Sequence, residues 1–198
     1  MSVVIIKYNA GNIQSVLYAL ERIGATATVT DNHDEIFAAD RVIFPGVGEA
    51  SSAMKYLKEK GLDKVLKNLV QPTFGICLGM QLMCSYSEEN KTDCLNIFDV
   101  KVKRFKDDIP GLKVPQVGWN KIFNLNSPLF AGVPENAYCY FVHGYYAPVC
   151  KNTAATTDYT LNYSAALQKN NFYGVQFHPE KSAEAGEQIL RNFLEIKA

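Results

Sequence analysis

The chain has 198 residues, 47% of them hydrophobic, enough to bury a full core and to suggest a single domain spanning 1–198. Lys and Arg number 20 against 20 Asp and Glu, for a formal net charge of zero, which removes the electrostatic case for nucleic acid or an anionic membrane surface. The five cysteines, at 77, 84, 94, 139 and 150, form no Cys-x-x-Cys pair, so neither a disulfide scaffold nor a metal site is expected and a reducing cytoplasm fits. The start of the chain lacks a basic n-region and a long apolar run, and nothing approaches the roughly 18 apolar residues of a membrane helix.

The first half alternates strand and helix. Ser2–Tyr8 reads as a buried strand, and Asn12–Ile23 follows with Ile13, Val16, Leu17, Leu20 and Ile23 at helical spacing. Gly24 ends that helix. Thr26–Thr30 and Arg41–Phe44 are strands, the second stopped by Pro45-Gly46. Glu49–Val70 is helical with a break near Gly61. Thr73–Ile76 is an apolar strand running directly into a helix over Leu78–Tyr86, which would put Cys84 two turns beyond Cys77. Repeated β-α units with short connections predict an α/β fold with a mostly parallel sheet covered on both faces. The second half is richer in strands, near 95–105, 113–123, 138–143 and 146–150, and forms an antiparallel extension. Tyr163–Gln168 and Phe172–Phe177 flank a hairpin turn at Lys169-Asn170-Asn171. Ser182 is expected to cap a last helix carrying Ile189, Leu190, Phe193 and Leu194 on one face.

The sharpest local signal is Gly75-Ile76-Cys77-Leu78-Gly79, a Gly-x-Cys-x-Gly pattern between a strand and a helix. It is the cysteine counterpart of the strained turn that thrusts a nucleophile out at a strand's end. The amides and positive dipole end of the following helix favour a thiolate. The plainer reading, a buried core cysteine, suits Cys84, Cys94, Cys139 and Cys150, none of which has this glycine setting.

A cysteine nucleophile needs a base, and the base needs an orienter. His178-Pro179-Glu180 follows a strand, and residues two apart in extended chain project to the same side. Glu180 can then fix the imidazole of His178. His33, among acidic and amide residues, reads as merely solvated. For the oxyanion of an attacked amide, one donor should be the Leu78 amide. A second is expected from Pro45-Gly46-Val47-Gly48-Glu49, through the Val47 amide, because Gly46 and Gly48 let backbone approach a ligand closely. Glycine peptides turn over at low cost, so this strand is expected to reorient when a partner binds.

Pro45–Gly48, Gly75–Gln81 and His178–Glu180 together resemble the class I, triad-type glutamine amidotransferases over essentially the whole chain. The resemblance implies a three-layer flavodoxin-like fold, and attack by Cys77 on the side-chain amide of glutamine. Ammonia is released, and a γ-glutamyl thioester is hydrolysed to glutamate. It also implies that Gln81, Glu89 and the backbone of His143, Gly144 and Tyr145 cradle the glutamine. Four stretches, Tyr8–Asn12, Gly79–Gln81, Gln116–Asn120 and Tyr140–Tyr145, are most similar to the family's glutaminase branch that serves imidazole glycerol phosphate synthase. That branch implies a separate (β/α)8 cyclase subunit as partner, with Asn12, Trp119, Tyr140 and Lys181 near the contact, and no cofactor. For Trp119 and Tyr140, core packing is the alternative to an interface role. Lys7, Gln116, Gly144 and Asn90 depart from the common pattern without touching the triad. Rival functions are the same glutaminase chemistry for another synthase, a non-catalytic binding subunit of the same fold, and a free-standing hydrolase.

Overall fold

A computed structural model describes residues 1–9, 12–106 and 113–197. Ala10 and Gly11, within the first of the four stretches, lie outside them. β1 (Val3–Ile6) leads to α1 (Ile13–Arg22), β2 (Thr28–Thr30), α2 (His33–Ala38) and β3 (Arg41–Phe44). Then come α3 (Ala50–Glu59), α4 (Leu62–Lys67), β4 (Thr73–Ile76) and α5 (Leu78–Met83). The rest of the chain supplies β5 (Cys84–Ser87), β6 (Thr92–Asp93), β7 (Phe98–Arg104), β8 (Gln116–Ile122), β9 (Ala137–His143), β10 (Tyr145–Tyr146), β11 (Thr153–Asp158), β12 (Asn162–Lys169), β13 (Phe172–Val175) and α6 (Ala183–Glu195). Among the described residues no helix is long and apolar enough to cross a membrane.

The central sheet has seven strands in the order β11-β12-β13-β4-β3-β1-β2. From β13 to β2 all neighbours are parallel, and β11 and β12 complete the sheet antiparallel. The strands are apolar on both faces because helices cover both. Val4, Ile6, Val42 and Phe44 point into one core, with α3, α4 and α5. Val3, Ile5, Ile43, Phe74 and Ile76 point into the other, with α1 and α6. A small sheet of order β10-β7-β5-β6 and a two-stranded β8–β9 sheet are added beside this core.

Gly61, at φ 69°, breaks the helical stretch into α3 and α4 as expected. The helix after Cys77 is shorter than the periodicity suggests. It ends at Met83, and Cys84 begins β5, so Cys84 is not two turns along the same helix. Cys84-Ser85-Tyr86-Ser87 has little helix propensity, and pairing with β7 settles its state. The strand expected near 146–150 is reduced to Tyr145–Tyr146, while β11 was not anticipated. Ser182 does stand at the start of α6, yet its hydroxyl makes no cap bond. It donates instead to the His178 carbonyl at 2.6 Å and accepts from the Tyr140 amide at 3.0 Å.

Candidate active site

Three segments leave the C-terminal ends of neighbouring parallel strands and meet at one edge of the sheet, where open α/β sheets place their sites. Pro45–Gly48 follows β3, Cys77 follows β4, and Gln176–His178 follows β13. Cys77 takes φ 52° and ψ −107°, a conformation that costs a non-glycine residue about 1–3 kcal/mol. Its amide donates to the Val175 carbonyl at 2.8 Å, which anchors the turn to β13. The flanking glycines are required by contact. A Cβ on Gly79 would fall on the Phe44 carbonyl of β3, and one on Gly75 would lie 2.8 Å from the Met80 amide.

His178 is buried and its Nδ1 bonds Glu180 Oε1 at 2.8 Å, with the Glu180 side chain fully enclosed. Burial alone would push the imidazole pKa down. Hydrogen bonds to Cys77 and Glu180, and their negative charge, outweigh it and hold His178 well above the usual range. The cleft therefore brings a thiol, an imidazole and an oriented carboxylate into mutual reach. Two further groups steady Glu180, with Asn12 Nδ2 donating to its Oε1 at 2.5 Å and Arg22 to its main-chain carbonyl at 3.4 Å. Asn12, expected near the partner, thus turns its side chain to the triad.

The cleft has a volume of about 550 Å³ and is lined by Val47, Gly48, Cys77, Leu78, Gln81, Glu89, Arg104, Val114, Pro115, Val142, His143, Gly144, Tyr145, His178 and Lys181. All the residues expected to cradle a substrate are among them except Gly46, which is buried beside the Tyr8 hydroxyl. Glu89 is half-buried and accepts from the Ala50 amide at 2.8 Å. Burial raises its carboxyl pKa, the Ala50 amide lowers it, and neighbouring Glu49 raises it again. Asn90, at φ 50°, holds Glu49 through a 2.8 Å bond to Oε1. His143 lines the cleft, and both of its ring nitrogens have partners. Its Nδ1 donates to the Tyr145 carbonyl at 2.7 Å, and its Nε2 lies 3.0 Å from the Tyr163 hydroxyl.

The oxyanion donors are not both open. The Leu78 amide donates to the Gly46 carbonyl at 3.2 Å. That oxygen therefore occupies the Leu78 amide, one of the two donors expected to meet an oxyanion. The Gly46 carbonyl and the Val47 amide are two ends of one peptide group. Turning it by about half a revolution removes the oxygen and brings an N–H to the same place. Tyr8 braces this turn, its buried hydroxyl donating to the Pro45 carbonyl at 2.5 Å.

Trp119 and Tyr140 are not core residues. They pair across β8 and β9 and meet edge-on at 5.9 Å between centroids, with Trp119 53% exposed. Sequence reasoning missed Gln176, which lies against Cys77. The signal was available: counting by two along the chain from His178 puts Gln176 on the same side.

Comparison with known proteins agrees with this fold. The sequence profile described as glutamine amidotransferase class-I matches residues 4–196. A Bacteroides thetaiotaomicron protein named imidazole glycerol phosphate synthase subunit HisH is 59% identical over 196 residues, covering 99% of this chain and 100% of that protein. Its namesake in Shewanella loihica is 46% identical, covering 98% and 91%. A solved structure described as a glutamine amidotransferase superposes with a TM-score of 0.75 at 18% identity, covering 98% of each chain. PurLQS from Thermotoga maritima gives a TM-score of 0.68 at 15% identity, covering 98% and 97%. At such identities these two structures speak for the fold alone.

Proposed function

The chain belongs to the class I glutamine amidotransferases, and from that premise we propose that it is the glutaminase subunit of an imidazole glycerol phosphate synthase. It hydrolyses glutamine to glutamate and passes ammonia to a (β/α)8 cyclase subunit in the cytoplasmic synthesis of histidine. Cys77 is the nucleophile, His178 its base and Glu180 the orienter. Glutamine enters the cleft with its α-ammonium toward Glu89 and its side chain toward Cys77.

His178 takes the thiol proton, and Cys77 Sγ attacks the carboxamide carbon. The C–N bond breaks as His178 returns the proton to nitrogen, and ammonia leaves a γ-glutamyl thioester. Water, deprotonated by His178, attacks that thioester, the C–S bond breaks, and glutamate departs. Each tetrahedral stage needs the Leu78 and Val47 amides together. We therefore assign the Gly46–Val47 peptide as the element that the partner turns over. The exposed face of β8 and β9, carrying Trp119 and Tyr140, is the proposed contact, with Lys181 at its border.

The observation that carries the reading is Cys77 in a strained turn opposite the buried His178–Glu180 pair. The test is glutamate release from glutamine by the chain alone and with a candidate cyclase subunit and its ribotide ligand. Low activity alone, a large rise in the mixture, and a fall of at least ~10³-fold in Cys77→Ala are expected. Full activity without any partner would instead mark a free-standing hydrolase. No stimulation by this cyclase would point to a different synthase.

A further inference from the structure

Gln176 is completely buried and has no part in the steps above. β13 and β4 run parallel with Val175 opposite Ile76, so the next step in register brings Gln176 beside Cys77. Its Nε2 lies 3.7 Å from Cys77 Sγ, and its Oε1 accepts from Gln81 Nε2 at 2.9 Å. The orientation of this carboxamide is dictated by the next link. Gln81 Nε2 also donates to the Tyr145 backbone carbonyl at 2.9 Å, and a carbonyl can only accept. Gln81 thus shows its NH₂ to both neighbours, Gln176 must answer with oxygen, and the NH₂ of Gln176 is left facing sulfur.

A donor in that place discriminates between the two states of the sulfur. The thiol has its own acceptor, the Val142 carbonyl at 3.8 Å. Once the proton has moved to His178, that carbonyl faces negative charge with negative charge, whereas an amide N–H gains a charge-assisted bond. We infer that Gln176 is a positioning residue that selects the thiolate of Cys77, held to the task by Gln81 and the Tyr145 carbonyl. Gln81 then serves the nucleophile from behind as well as lining the cleft. The inference rests on the reading of Cys77 as nucleophile.

The test needs neither partner nor glutamine. Cys77 is alkylated with iodoacetamide between pH 5 and 10 and followed by the mass of its peptide, which separates it from the partly exposed Cys150. Gln176→Met keeps the shape and removes the donor. Gln176→Glu keeps an oxygen for Gln81 and turns another toward sulfur. In Gln176→Met the pH of half-maximal rate should rise by about one unit, making alkylation roughly tenfold slower below the midpoint. Gln176→Glu should move it further, and the alkaline plateau should stay unchanged in both. A residue that only fills space would alter melting temperature or plateau and leave the midpoint alone. Folded variants with the wild-type midpoint overturn the inference, and Gln176→Glu decides it if the Met variant does not fold. A wild-type Cys77 that is unreactive at every pH would instead overturn its reading as nucleophile.

Discussion

His143 is packed among aromatic rings, with centroids of Phe105, Phe141 and Tyr163 at 5.4, 5.7 and 5.4 Å. Burial pushes its imidazole down, the Tyr145 carbonyl pulls it partly back up, and the charge of His178 depresses it again, to about 4 in all. In the unfolded chain the same group titrates near 6.5. Between those values the unfolded chain takes up a proton that the folded chain refuses, so acid draws the equilibrium toward unfolding. Stability from this one ring is complete above its unfolded value and falls by about 2 kcal/mol between pH 7 and pH 5. Urea unfolding of the wild type and His143→Gln at both pH values measures it, because contributions from the other histidines cancel in the difference. Parallel pH dependence in the two proteins would contradict the assignment. In the sequence both His143 and His178 follow strand-like stretches, and only His178 has a carboxylate two residues on. What separates them is the neighbour on the ring nitrogen, a carbonyl for one and a carboxylate for the other. The Gly-x-Cys-x-Gly turn and the His178–Glu180 pair were legible because their geometry is written in local spacing. Gln176 and Tyr8 were not, because their roles come from the register of separate strands.

The strands β1, β3, β4 and β13 and the break at Gly61 follow from local pattern, and the structure agrees with the sequence there. The end of α5 does not follow, because the switch from Met83 to Cys84 is decided by pairing with β7, distant in the chain. The turn after β3 illustrates the same coupling between elements. Its position depends on Tyr8, just beyond β1, whose hydroxyl holds the Pro45 carbonyl, while the neighbouring Gly46 carbonyl occupies the Leu78 amide. Tyr8→Phe removes that brace and little else. It should cost about 1 kcal/mol of stability, the net worth of a typical buried hydrogen bond. The same loss should make the Gly46–Val47 peptide easier to turn, raising partner-free glutamate release about fivefold. Steady-state assays of the isolated chain read the rise directly. Unchanged or lower basal release would mean that the brace supports the working arrangement instead of the closed one.

At the scale of the molecule, one face of β8–β9 is finished for the interior and the other is not. Gln116 and Ile122, with Cys139, Phe141 and His143, are buried beneath the two-stranded sheet. The opposite side shows Val117, Trp119 and Tyr138, each more than half exposed, with Tyr140 and Val142 between them. Aromatic side chains left in water on a rigid hairpin are what interface centres are made of. This face reaches the candidate site through its backbone, since the Val142 carbonyl lies 3.8 Å from Cys77 Sγ and the Tyr140 carbonyl accepts from the His178 amide at 2.8 Å. A partner seated here would border the cleft that Val142 and Val47 both line, which would join docking to activation without any long-range path. Trp119→Ala should therefore weaken the partner by about 2 kcal/mol or more, a rise in dissociation constant of at least ~30-fold. Saturating partner should recover stimulated glutamate release, because the residue contributes to holding the partner. Titration calorimetry alongside a glutaminase titration separates the two effects. An unchanged dissociation constant would move the contact off β8–β9, and stimulation lost even at saturation would place Trp119 in the switch itself.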